Sequence, residues 1–255
     1  MRHIITLTLF PLVVGFGCST EPPAKAPTPQ TKVTPRAAYR VITDLSASGS
    51  VTGTVSYTGA TQDPAVAVDR DEATCGAAGN KPSGALIVTE GRVANAVIEV
   101  LGITEGIGFE PATLKIDNVG CVFVPRVALA RVGDTFLSHN SDPVFHNAKL
   151  DLISKGKSKR IANLPVPLQG TDSPSRVLKK PGVVKVSCDA HLWMRSTVYV
   201  TSHPYTALTA QDGSFTISDL PPGQYDLKVW HEVLGEKTSR VTVEAGKKAQ
   251  ADLEL

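Results

Sequence analysis

From residue 50 onward, apolar and polar residues alternate with a period of two. Val51, Val55 and Tyr57 alternate with Thr52, Thr54 and Ser56, which puts the two sets on opposite faces of one strand. Leu86-Ile87-Val88, Ala94 to Leu101, Leu114-Lys115-Ile116, Val122-Phe123-Val124, Val127 to Ala130 and Asp134 to Leu137 continue as short runs. Gly and Asn turn residues part them, with a tight turn at Gly133-Asp134. Val183 to Val186 and Thr197 to Val200 flank a loop at Cys188 to Met194. Asp212-Gly213-Ser214 signals a hairpin turn before Phe215 and Ile217. Then Pro221 and Pro222 stop a strand, and Gly223 permits a positive φ. Tyr225, Leu227 and Val229, then Val241 and Val243, then Ala251, Leu253 and Leu255 alternate again. No stretch keeps a 3.6-residue period over helical length. The pattern predicts an all-β chain of packed sheets.

Composition agrees. The chain is 42% hydrophobic but 5% aromatic, with 21 Gly and 18 Pro, as many short strands and turns require. A net charge of +2 supplies no field for nucleic acid.

The first residues read as an export signal. Met1-Arg2-His3 is a basic start, and Ile4 to Gly17 is apolar but too short for a permanent span. Gly15-Phe16-Gly17-Cys18 resembles a bacterial lipoprotein cleavage site, with Cys18 lipidated and residues 1–18 as the signal peptide. The usual aliphatic residue three places before the Cys is Gly15 here, and an ordinary secretory signal is the other reading. Both place the protein in the cell envelope or periplasm. Residues 19–45, rich in Pro, Thr, Ala and Lys near their start, read as a disordered linker. It either acts as an extended tether to a membrane or has no mechanical role.

Two family resemblances organise the rest. The series Asp212-Gly213-Ser214-Phe215 and Leu220-Pro221-Pro222-Gly223-Gln224-Tyr225 resembles the carboxypeptidase regulatory-like (transthyretin-like) β-sandwich. Its usual opening strands are matched by Gly53-Thr54-Val55 and Ala96 to Val100, far upstream. Residues 46–110 and 203–255 therefore read either as two parts of one sandwich or as separate domains in series. Such a module binds or supports and carries no catalytic group by itself.

Residues 111–202 resemble a cupredoxin of the plastocyanin and pseudoazurin group, a Greek-key β-sandwich. The matching residues are Phe123-Val124-Pro125, Val132-Gly133-Asp134-Thr135, Asn140-Ser141-Asp142, His146-Asn147, Pro181-Gly182 and Cys188-x-x-His191. The resemblance implies one type 1 copper held by His146, Cys188 and His191, with Met194 as a long axial ligand. Asn147 is then the neighbour that restrains the Cys sulfur. The gap between His191 and Met194 is shorter than the family's. It is the spacing of a binuclear copper centre, but that needs a second loop cysteine. Cysteine arithmetic then pairs Cys75 with Cys121 in an oxidising compartment and leaves Cys188 for metal. A disulfide from Cys188 to either one remains open on sequence.

The function so implied is one-electron transfer without enzymatic catalysis. The electron would leave through an exposed His191 edge, with Leu192 and Trp193 as a docking patch. A redox partner such as a c-type cytochrome or membrane oxidoreductase is implied, and the lipid anchor meets the membrane. Two other readings stand beside it: a copper-binding or delivery protein without a redox circuit, and a metal-free structural or ligand-binding β-sandwich. Lys155, Lys157, Lys159 and Arg160 form a basic run after the first ligand, either a solvated loop or a steering patch for an acidic partner.

Overall fold

Period-two patterning becomes two β-sandwich-type regions in an all-β chain. The computed structural model describes residues 39–255 apart from Lys155. The expected signal peptide, Cys18, most of the expected linker and Lys155 lie outside the described residues. Among the described residues, no helix is long and apolar enough to cross a membrane.

One region packs two sheets. The first orders Val122–Val124, Thr113–Val119, Thr135–Asn140 and Thr171–Asp172, with Arg176–Val177 also on Thr135–Asn140. The second orders Val127–Arg131, Arg195–Thr201, Gly182–Ser187, His146–Ser154 and Lys157–Val166. Inward residues alternate with outward ones, as in Thr135–Asn140, where Phe136, Ser138 and Asn140 are buried. Ile116, Phe136, Leu150, Leu178, Val186 and Val198 fill the space between the sheets.

The other region is assembled from both ends of the described chain. Gly49–Ser56 pairs with Ser214–Leu220, and also with Lys248–Gln250 and Leu253–Glu254. Facing it, Val97–Leu101 lies between Thr206–Leu208 and Gly223–His231, with Gly235–Val243 at the edge. Val51, Val55, Ile98, Val100, Phe215, Leu227 and Val229 form its core. The two regions meet at Val97, Val127 and Tyr199. There the Tyr199 hydroxyl donates to buried Glu99 at 2.7 Å, and Lys228 pairs with the same carboxylate at 2.9 Å.

Local expectations differ from the structure at three places. Arg40–Val41, inside the expected linker, pairs with Glu105–Gly106, and the Tyr39 hydroxyl donates to the Ile107 carbonyl. The expected strand at Leu86-Ile87-Val88 shortens to Val88–Thr89, because the Asp63 carboxylate takes the amides of Gly84, Ala85 and Leu86. Gly213 does take a positive φ of 74°, and a Cβ there would lie 2.8 Å from the Val55 carbonyl. Gly223 does not; a positive φ falls instead on Asp219, inside the strand Ser214–Leu220 where its pairing with Gly49–Ser56 shifts register. Gly223 instead makes room for the Tyr225 ring, 3.3 Å from where its Cβ would stand.

A third feature has no counterpart in the expectations. Ala65–Val68 and Gly79–Pro82 pair as a small hairpin around the single helical turn Glu72–Cys75. Cys75 and Cys121 form a disulfide with an S–S distance of 2.00 Å. That bond ties the hairpin to the sandwich beside the candidate site.

Candidate metal centre

Three elements converge on one buried point. His146 opens the strand His146–Ser154, Cys188 directly follows Gly182–Ser187, and His191 sits in the loop before Arg195–Thr201. Those three strands are neighbours in one sheet, so their ends lie together at one edge of the sandwich. The Nδ1 atoms of His146 and His191 are 3.0 Å apart. The Cys188 Sγ is 4.0 Å from one and 3.9 Å from the other. All three residues are buried, and Cys188 is a free thiol.

Each imidazole turns its far nitrogen to a carboxylate. His146 Nε2 lies 3.0 Å from Asp142 Oδ2. Asp142 also accepts the Gly120 and Cys121 amides, so it joins the histidine to the disulfide-bearing turn. His191 Nε2 lies 2.8 Å from Asp71 Oδ2. Asp71 comes from the hairpin and has a positive φ of 52°. Burial holds the His146 ring below the usual histidine value; nearby His191 adds to this, and Asp142 opposes it. A neutral imidazole offers a lone pair to a cation.

Asn147 holds the other side. Its Oδ1 accepts the Asp189 amide at 2.8 Å and faces the Cys188 thiol at 3.4 Å. Its Nδ2 donates to Asn163 and Asp189. Lys149 pairs with Asp189, and this hydrogen-bonded pair keeps that carboxyl below the usual range.

Met194 is fully buried in the core. It lines a cavity of about 400 Å³ together with Cys75, Phe123 and Trp193. Its amide donates to the His191 carbonyl at 2.9 Å and closes the ligand loop. Sequence reasoning missed both carboxylates as site residues. Asp142, four residues before His146, carried a weak local signal. Asp71 carried none, being 120 residues from the ring it holds.

Residues 182–255 match the carboxypeptidase regulatory-like domain family. The match spans the two strands around the Cys188 loop and then the C-terminal strands of the second region. No curated protein matches the chain. Among solved structures, a Cu-containing nitrite reductase from Thermus scotoductus SA-01 is 22% identical, covering 38% of this chain and 24% of its own, with a TM-score of 0.30. A purple cupredoxin from Nitrosopumilus maritimus is 26% identical, covering 34% of this chain and 97% of its own, at 0.29. A mutant of amicyanin is 16% identical, covering 34% and 81%, at 0.28. The chain thus spans about a quarter of the reductase's length. The likeness is a weak cupredoxin-like resemblance of one β-sandwich region and carries no function.

The expectation of one-electron transfer at a type 1 copper is corrected. Cys75, Cys121 and His191 bring their ligand atoms within 4.8 Å of one another, but the two sulfurs are bonded together and offer no thiolate. The same bond holds the hairpin over the edge from which an electron was expected to leave. His191 is 1% exposed, and its outer nitrogen is taken by Asp71. The expected docking patch is also absent as drawn. Leu192 is exposed, but Trp193 is buried, with its indole donating to the Cys121 carbonyl at 3.1 Å.

Proposed function

We propose that this protein is a binding module rather than an enzyme or an electron carrier. In this reading His146, Cys188 and His191 capture a thiophilic divalent metal ion without a redox circuit. One observation carries it: three buried donors of metal-ligating type converge while both histidines are oriented from behind by carboxylates. Ions of this class sit about 2.0–2.1 Å from imidazole nitrogen and about 2.3 Å from thiolate. Donors 3.0, 3.9 and 4.0 Å apart fit one such ion.

The chain's own residues supply the rest. Asp71 and Asp142 fix the ring orientations and leave Nδ1 of each as the inward lone pair. Their negative charge favours a doubly charged ion over a singly charged one, which opposes redox cycling. Asn147 positions the sulfur, and the hairpin excludes water. The thiol proton leaves to solvent on binding, so affinity rises with pH. Met194 closes the loop from the core side. Export through the signal and lipidation at Cys18 would place the module at the envelope surface, on the Pro-rich linker.

Cobalt(II) tests this reading, because its thiolate complexes absorb visibly. One Co(II) per chain is expected, with a thiolate-to-metal band lost in Cys188→Ser and displaced by Zn(II). A chain that takes up neither ion, or a band that survives in Cys188→Ser, overturns it. The first result would leave a metal-free β-sandwich in which the His146–His191 hydrogen bond satisfies the site.

A further inference from the structure

A second candidate site lies at the opposite end of the strands that carry His146 and Cys188, beside the edge strand Lys157–Val166. The edge strand Lys157–Val166 runs antiparallel to His146–Ser154, with Lys157 opposite Ser154 and Lys159 opposite Leu152. Paired residues share a face. Both lysines therefore stand on the face that Leu152 buries, where the binary pattern calls for apolar residues. The strand shifts register between Leu150 and Asp151, and such a bulge bends an edge strand locally.

Beside this edge lies a groove of about 520 Å³, within the size range of small-molecule sites. Its floor is apolar: Leu152, Ile161, Leu178 and Val184. Leu178 and Val184 are each 1% exposed. Its rim is cationic, with Lys157, Lys159 and Arg160 on one side and Arg176, Lys179 and Lys180 on the other. Among the described residues, no carboxylate lines it. Among the described residues, Arg160 alone of the six is ion-paired, to Asp151 at 2.6 Å.

Lysines on an edge strand commonly serve only to block strand addition. That accounts for Lys157 and Lys159. It also covers Arg176, on the short edge strand Arg176–Val177, but not Lys179 and Lys180, which lie outside any strand and face the same space. We propose that this groove binds a monomeric anionic amphiphile: one acyl chain along the apolar floor, with its carboxylate head on the facing lysines. Charge complementarity selects the head and floor chemistry selects the tail. Among the described residues, five cations without an ion-pair partner around an apolar floor disfavour a cationic occupant.

Calorimetry with decanoate below its micelle concentration tests the assignment on the full chain. Saturable 1:1 binding is expected. Acetate, which has the head alone, and decyltrimethylammonium, which has the tail with the wrong charge, should not bind. The double variant Lys159→Glu with Lys180→Glu changes two exposed side chains and should weaken decanoate about tenfold or more. Lys237→Glu, on a strand of the other sandwich, should leave it unchanged. Equal binding of decyltrimethylammonium or acetate overturns the proposal, as does unchanged affinity in a folded double variant. So does capture of phosphatidylglycerol vesicles by a chain that ignores monomeric decanoate, which would make the face a membrane contact instead.

Discussion

The Asp71 carboxylate lies 2.8 Å from His191 Nε2 across 120 residues of sequence. It orients the ring and covers it at once. Asp71→Asn keeps the shape but removes the charge, so Zn(II) affinity should fall about 10–100-fold. The Asp71 side chain is 43% exposed, and folding stability should change by less than about 0.5 kcal/mol. Competition against a chromophoric chelator, beside urea denaturation, separates the two effects. An affinity equal to wild type would remove Asp71 from the site.

The Cys75–Cys121 bond closes a loop with a sequence separation of 46. Replacing both cysteines by serine should cost about 2–4 kcal/mol of stability through the unfolded chain's entropy. It should also free the hairpin, so the His191 ring becomes reachable by diethyl pyrocarbonate at a rate the parent does not show. Protection equal to wild type would mean that the hairpin stays seated by its other contacts.

Where the two regions meet, Glu99 is buried and holds both Tyr199 and Lys228. Burial and the Glu99 charge push the Tyr199 phenol far above its usual value, so it remains a donor at any working pH. Tyr199→Phe leaves a buried carboxylate short of one donor. It should cost about 1–3 kcal/mol, read as a shift of the urea midpoint at constant m-value.

His231 is buried, and its Nδ1 accepts the Val233 and Leu234 amides at 3.2 and 3.3 Å. A protonated nitrogen cannot accept. Burial lowers its value from 6.5; Glu232 opposes this and Arg126 adds to it. The unfolded chain therefore takes the proton first. The stabilisation from neutral His231 is complete above about pH 6.5 and is lost as pH falls from there toward the folded value. Unfolding free energy measured from pH 7.5 to 5 should decline less steeply in His231→Asn. An identical slope would assign the decline to other groups.

Patterning along the chain already specified the all-β character and the presence of two sandwich-type regions. It also singled out His146, Cys188 and His191. These readings rest on period-two patterning and short motifs, in which each residue is interpreted with its chain neighbours. Tertiary structure decided what surrounds the three donors. Asp71 and Asp142 at the histidines, the hairpin over His191, the burial of Trp193 and the lysines beside Leu152 all come from segments that meet only after the sheets pack. The expected electron route failed for the same reason: local pattern at Cys188 to Met194 carries no record of a hairpin anchored through Cys75. Gly223 shows the same on a small scale: the turn's composition names a residue that permits a positive φ, and the folded chain uses it to make room for the Tyr225 ring instead.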